Sequence, residues 1–358
     1  MSLSQIRSII TFRQENEPAV KVEGDVWLNT RTKVVQTWNG SSWDLNWKGY
    51  GLYGYSIGGW NSPTEISSVE RFNFPFNAGA SNKVGEVSVG LTRVSGCNST
   101  QYAYISCDVP ALKRVFRFEF PFDSGVATQV GTLNEPGLES SSSNSSQHGY
   151  FMGGSYGTFS YHSSIERITF PFNSGVSTKV GNLSASKMST SSCNSSSQAY
   201  IFGGTNSVSP DYAGTNIISR ITFPWNSGTA NDIGLINMAR SKMAGFNSSQ
   251  HGYTAGGWFR ITGNNVYVSF IERISFPWNS GFAVIEGNSS YEGYKTASCN
   301  SSRYGYMMGG YNGSIYYSTI DRVQFPFNSG SSSALGSLTG SRYENAGVDE
   351  CDFVNQFV

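Results

Sequence analysis

The sequence predicts an all-β protein, a β-propeller, on three observations. A motif ending in Phe-Pro-Phe-Asn-Ser-Gly or a close variant returns six times, at intervals of 46 to 53 residues, which marks a repeat architecture. Further short apolar segments keep fixed places around each copy. Charged residues make up only 13% of the 358-residue chain, against about 25% in an average globular protein, while Gly, Ser and aromatics abound.

Each repeat reads as four strands. Strand A is small and mixed and ends at an Asn: Asn98, Asn144, Asn194, Asn247 and Asn300. A Ser-rich turn follows, as in Asn194-Ser195-Ser196-Ser197. Strand B is aromatic and ends in two glycines, as in Tyr150-Phe151-Met152-Gly153-Gly154 and Tyr200-Ile201-Phe202-Gly203-Gly204. Strand C is the motif itself, Ile165-Glu166-Arg167-Ile168-Thr169-Phe170-Pro171 in the third copy. Its apolar residues fall at odd spacing, as expected for a strand covered on both faces. The proline removes a ladder donor and belongs at a strand end, and Asn-Ser-Gly makes a short hairpin with Gly at positive φ. Strand D carries Val-Gly-x-Leu, as in Val180-Gly181-Asn182-Leu183.

Spacing suggests how the ring closes. The Gly of strand D precedes the first Gly after strand B by 22 residues in the pairs 131/153, 181/203, 234/256 and 287/309. Counting back from Gly58 lands on Gln36, and counting forward from Gly336 lands on Val358. Read this way, the C-terminus supplies a strand B, and Asp25–Asn29 with Val34–Trp38 supply strands C and D. The expectation is seven four-stranded blades over residues 24–358, one of them shared between the chain ends, after an arm at 1–23. Six blades plus an N-terminal hairpin is the alternative. Within the arm, Ile6, Ile9, Ile10 and Phe12 could form an added strand or anchor the protein on a neighbour.

Composition excludes several functions. No 18-residue apolar run is present, so no membrane span is expected; the start lacks the apolar core of a signal peptide. The formal net charge is zero with no basic block, which argues against nucleic acid. Five cysteines make no disulfide framework: Cys97, Cys193 and Cys299 hold one slot in different repeats and read as buried thiols. Of three histidines, His148 and His251 share a slot in different blades and His162 stands alone in a B–C loop, so no His pair can hold a metal. Catalytic triads, paired carboxylates and phosphate loops are absent. The reading is therefore not an enzyme, with no catalytic residue, metal or cofactor. The Asn-x-Ser/Thr sequons at Asn98, Asn144, Asn194, Asn247 and Asn300 sit at one turn position and reflect turn chemistry.

Six arginines share one register, Arg71, Arg117, Arg167, Arg220, Arg273 and Arg322. They could line an anion-binding ring; the favoured reading is structural, each bridging to a carbonyl, Asn or carboxylate of the next blade. Function is left to the B–C loops, which vary in length and carry Trp60, Tyr156, Phe159, Tyr161, Tyr212, Trp258, Phe259, Tyr267, Tyr311, Tyr316 and Tyr317. Aromatics on variable loops mark a protein interface or a sugar-stacking platform.

The Tyr-x-x-Gly-Gly ending of strand B resembles the kelch repeat, which implies the propeller fold and little about function. Phe-Pro-Phe-Asn-Ser-Gly followed by Val-Gly-x-Leu resembles a repeat of structural proteins of tailed bacteriophages, notably those infecting marine cyanobacteria. Glu23–Thr30 through Trp38–Trp43 likewise resembles a β-rich segment of phage virion proteins. These resemblances imply a virion protein made in the host cytoplasm: a non-enzymatic capsid, neck or tail propeller, homo-oligomeric or not, partnered by other virion proteins. The alternative is a host-recognition module binding surface glycans through the same aromatic loops.

Overall fold

The computed structural model describes residues 11–14, 16–22, 25–29, 34–38, 40–41, 43–48, 53–107, 113–157, 160–206, 214–294 and 297–350. All regular structure among them is β, with no helix. They form two compact units, 1–52 and 53–358.

In the first unit Thr11–Gln14, Val26–Asn29, Val34–Trp38 and Trp43–Lys48 pair in chain order, the first pair parallel and the others antiparallel. Trp27 is buried, and its indole N–H donates to the Gln14 carbonyl at 3.1 Å. Thr11–Gln14, Phe12 among them, is thus a strand of this sheet, and the boundary expected at residue 23 falls instead at 52. The anchoring candidates Ile6, Ile9 and Ile10 lie outside the described residues.

The second unit is a propeller-like arrangement of four-stranded antiparallel blades. Blade 1 runs Ala346–Asp349, Tyr53–Ile57, Thr64–Asn73, Asn82–Leu91 as strands A to D. Blade 2 is Ser95–Asn98, Tyr102–Cys107, Arg114–Glu119, Val126–Thr132. Blade 3 is Ser141–Asn144, His148–Ser155, Tyr161–Thr169, Thr178–Asn182. Blade 4 is Ser191–Asn194, Gln198–Phe202, Ile217–Thr222, Asn231–Leu235. Blade 5 is Ala244–Asn247, His251–Ala255, Phe270–Ser275, Val284–Asn288. Blade 6 is Ala297–Asn300, Tyr304–Tyr311, Tyr316–Gln324, Ser333–Ser337.

Among the described residues these pairings give six blades and do not confirm the expected seventh. The last described strand, Ala346–Asp349, pairs with Tyr53–Ile57, Val348 facing Tyr55. It is the strand A that blade 1 lacks in sequence. Val26–Asn29 and Val34–Trp38 pair within their own unit. The count of 22 residues located the next strand B after Gly336, but Tyr53–Ile57 already fills that place. The strand B expected near Val358 lies outside the described residues. Parallel bridges then run D strand to neighbouring segment around the whole circle: Glu86↔Val126, Thr132↔Val176, Asn182↔Thr229, Leu235↔Phe282, Asn288↔Ser331 and Gly336↔Gly79. Six links return to their start.

The motif residues form a latch between blades, repeated six times. The first Phe of each copy packs on a strand-B Tyr of the blade before it, with centroids 5.0 Å apart for Phe74 and Tyr306 and 5.1 Å for Phe170 and Tyr104. The N–H of the second aromatic donates to the same Tyr hydroxyl at 3.0–3.1 Å: Phe122 to Tyr55, Phe172 to Tyr104, Trp225 to Tyr150, Trp278 to Tyr200, Phe327 to Tyr253 and Phe76 to Tyr306. The rings of those six tyrosines are fully buried. Each latch therefore couples apolar burial to a hydrogen bond that no solvent replaces. Strand C is covered on both faces, as its pattern predicted: Ser164, Ile165 and Glu166 are consecutive and all buried.

The repeated arginines take the structural reading. Arg220 donates to the Trp278 carbonyl at 2.9 Å and to Asn279 Oδ1 at 2.7 Å, one blade on. Arg322 does the same to Phe76 and Asn77 across the seam. Arg71, Arg117, Arg167 and Arg273 reach Asp123, Asn173, Asn226 and Asn328. Cys97, Cys193 and Cys299 are buried free thiols, and Cys107 is buried as well. The A strands enclose a polar axial channel of about 120 Å³, with Asn98, Asn144, Asn194, Asn247, Asn300 and Asp349 among its lining. They pack so closely that a Cβ at Gly245 would lie 2.2 Å from the Ser192 carbonyl oxygen.

Candidate functional site

The B–C and D–A loops share one face of the ring, and its centre is built by the D–A loops. Two residues before strand A, five blades place a non-glycine residue in the left-handed region: Glu344 (φ 58°), Arg93 (56°), Glu139 (53°), Ser189 (55°) and Lys242 (54°). Such backbone strain is held only where the surroundings enforce it. Here the enforcement is a chain of backbone bonds around the axis. The Ser189 N–H donates to the Glu139 carbonyl at 2.8 Å, Lys242 to Ser189 at 2.9 Å, and Val94 to Glu344 at 3.1 Å. The sixth position in this register is Lys295, outside the described residues.

The side chains of this ring meet across the axis. Lys242 Nζ lies 3.1 Å from Glu139 and 2.5 Å from Glu344, while Arg93 Nε lies 3.4 and 3.8 Å from the same carboxylates. Each carboxylate touches two cations, so the cluster is neutral among the described residues. Burial works to raise the Glu139 carboxyl, but Lys242 and Arg93 outweigh it and hold it below the usual range. Burial likewise opposes the Lys242 charge, and Glu139 with Glu344 overrides it, pushing the ammonium upward.

Above the cluster opens a pocket of about 240 Å³. Arg93, Glu139 and Lys242 contribute to its lining together with Tyr161, Trp258 and Tyr294, and Ser155 and Thr205 add hydroxyls. A continuous aromatic platform adjoins it. Trp258 meets Tyr294 edge-on at 5.7 Å; Tyr294 touches Tyr267 (5.4 Å), Tyr311 (5.8 Å) and Tyr343 (6.0 Å). Tyr311, Tyr316 and Tyr343 stack mutually at 4.8–5.6 Å. Lys242 sits 5.1 Å from the Tyr294 centroid and joins platform to charge cluster. Burial, then the charge of Glu344, raise the Tyr343 phenol to about 12, so it remains a neutral hydroxyl.

The structure thus gathers part of the sequence-predicted set. Trp258, Tyr267, Tyr311 and Tyr316 join one platform, and Tyr161 lines the pocket from blade 3. Trp60 pairs its backbone with Tyr343 at the platform edge. Phe259 sits in an inserted hairpin, Trp258–Ile261 with Asn264–Tyr267. Tyr156 stands apart, half exposed and packed on His162, and Tyr317 stacks on Tyr291 at 3.8 Å. Phe159 and Tyr212 lie outside the described residues. Sequence reasoning missed Tyr294, Tyr343 and the charged ring. A signal existed: each ring residue stands five before the acid or amide that ends strand A.

His148 and His251 sit at the start of strand B in blades 3 and 5. His162, largely buried, has Nε2 2.6 Å from the Pro136 carbonyl. Burial lowers all three, with an opposing pull from that carbonyl on His162 and a further push from Arg167 and Arg273 on the other two.

With this geometry in hand, the chain can be set beside known proteins. No family model matches it, and no curated protein matches it by sequence. Among solved structures, that of YjhT superposes with a TM-score of 0.60 over 73% of this chain and 88% of that one. The chain is similar to YjhT in fold. At 12% identity the likeness extends to architecture alone, and the pocket and platform must be read from their own residues.

Proposed function

We propose that this chain is a non-enzymatic recognition module, a six-bladed propeller that binds a saccharide of a host cell surface in its loop-face pocket. The observation that carries the reading is the pocket in which Tyr161, Trp258 and Tyr294 accompany a pre-paired set of charges. Aromatic rings offer flat apolar faces to the C–H face of a pyranose, and fixed charged groups direct hydrogen bonds to its hydroxyls. Pairing supports binding over turnover. A glycosidase acid needs a carboxyl whose pKa is raised, whereas Glu139 is held low by Lys242 and Arg93. The setting we propose is the virion of a tailed phage, on the repeat resemblance and its kelch-like strand B.

A second reading, docking to other virion proteins, is favoured by exposed apolar side chains where the chain enters the outer strands: Val126, Val176 and Phe282 each follow the motif glycine and are 58–59% exposed. The test of the first reading is a glycan array followed by titration of the best hit. Trp258→Ala is expected to weaken binding by about 2 kcal/mol, roughly thirtyfold, with the melting temperature little changed. An array without hits, or a hit that Trp258→Ala leaves intact, removes the saccharide reading.

A further inference from the structure

Between certain blades a buried cation fills a slot at the mouth of the next blade. Four residues before strand A, Arg240 sends Nη2 to Glu272 at 2.7 Å and Nε to the Gly256 carbonyl at 2.9 Å. Arg342 repeats this at the seam, bonding Glu70 and, at 3.3 Å, the Gly58 carbonyl. Glu70 and Glu272 hold one register on strand C, and Gly58 and Gly256 are each the first glycine after strand B. A buried carboxylate is matched by a guanidinium, as low local dielectric requires.

Blade 3 keeps the acid and the glycine carbonyl, as Glu166 and Gly153, but the position of the arginine is Gly137. Glu166 is 1% exposed. Its Oε2 accepts from the Asn134 N–H at 3.3 Å and from the Ser177 hydroxyl, while Oε1 has no partner. Blade 6 also carries a glycine there, Gly293, and fills the slot with Tyr291, whose hydroxyl donates to the Gly309 carbonyl. The residue of blade 3 in the register of Tyr291 is Glu135, a second carboxylate. Burial raises the Glu166 carboxyl, and the charge of Glu135 adds to it against the hydrogen bonds from Ser177 and Asn134. Ser106 Oγ, fully buried and without a partner, is a further oxygen here, 2.6 Å from where a Cβ on Gly137 would stand. Glu135, hydrogen-bonded to Tyr156, thus holds the register from which Tyr291 enters the slot in blade 6, near enough for its charge to act on Glu166.

We propose that blade 3 binds a calcium ion between Glu135 and Glu166, in the slot that a guanidinium fills in blades 1 and 5. The available donors are all oxygens, two carboxylates with a backbone carbonyl and a hydroxyl nearby, which suits a hard cation. Their irregular placement suits calcium over magnesium, which demands a near-ideal octahedron.

The test uses the full chain, stripped with EDTA and titrated with CaCl2 by calorimetry and thermal unfolding. One equivalent should bind, and the melting temperature should rise by several degrees at millimolar calcium. Glu166→Gln should lose both effects and, relieved of an unpaired charge, melt no lower than the stripped wild type. Should that variant fail to fold, Glu135→Gln at a half-buried position should fold and bind calcium at least about tenfold more weakly. No binding heat and no thermal shift in the wild type, an equal shift from NaCl of matched ionic strength, or unchanged affinity in Glu135→Gln would each overturn the site.

Discussion

Arg342→Ala is expected to destabilise the ring by about 3–5 kcal/mol, the loss typical when one partner of a buried ion pair is removed. Arg342 is 2% exposed and Glu70 fully buried. The guanidinium serves four acceptors at once: Glu70, Ser68 Oγ at 2.9 Å, and the Gly58 and Gly340 carbonyls, each at 3.3 Å. Without it Glu70 still accepts from Ser81, Thr339 and the Thr339 N–H, but its charge has no counter-ion. The two residues lie 272 apart in sequence, one at each end of the ring, so the loss falls on the seam. Arg342→Lys should retain part of the stability, since it keeps the charge and loses the planar fork. The shift in denaturation midpoint for the two variants checks both statements.

Lys187→Met should have the opposite sign. Lys187 occupies the register of Arg240 and Arg342, but the strand-C acid is replaced by Ser219. Its Nζ donates to Ser219 Oγ at 3.2 Å, and Ser219 in turn donates to Asp232 at 2.7 Å. Burial pulls the amine from 10.5 down to about 8, against the attraction of Asp232. The folded pKa is thus below the unfolded one, and the folded state binds fewer protons. Below pH 8 the lysine is charged in both states and its destabilising effect is complete. As pH rises from 8 to 10.5 the folded amine is neutral while the unfolded one is still charged, so stability increases; above 10.5 the effect is gone. A shift of this size amounts to about 3 kcal/mol. Lys187→Met should therefore be more stable than wild type at pH 7 by that order, with the gap closing toward pH 10.5. Denaturation midpoints at pH 7, 9 and 10.5 measure it.

What could be read in the sequence was whatever each blade does for itself. The Phe-Pro motif, copied six times, and the paired glycines and Val-Gly-x-Leu strand that recur with it are local devices, so Arg220 and its counterparts disclosed their bridging role by repetition. Closure is different in kind. Spacing counts locate a strand along the chain but not its partner, and Ala346–Asp349 pairs with a strand almost 300 residues upstream. The charged ring was hidden for a related reason: its members share a backbone conformation and a position, not a residue type, so Glu344, Arg93 and Lys242 look unrelated until their loops are superposed. Tyr294 and Tyr343 sit on D–A loops, outside the B–C loops whose variable length marks them in the sequence.

Two truncations compared by hydrogen exchange test the ring most directly. Removing residues 351–358 should leave the amides of Tyr53–Ile57 protected and unfolding a single cooperative transition. Removing 346–358 should strip that protection and broaden or abolish the transition, because blade 1 loses its innermost strand. If the shorter deletion alone exposes Tyr53–Ile57, or the longer one leaves them protected, Ala346–Asp349 is not the strand that closes the circle.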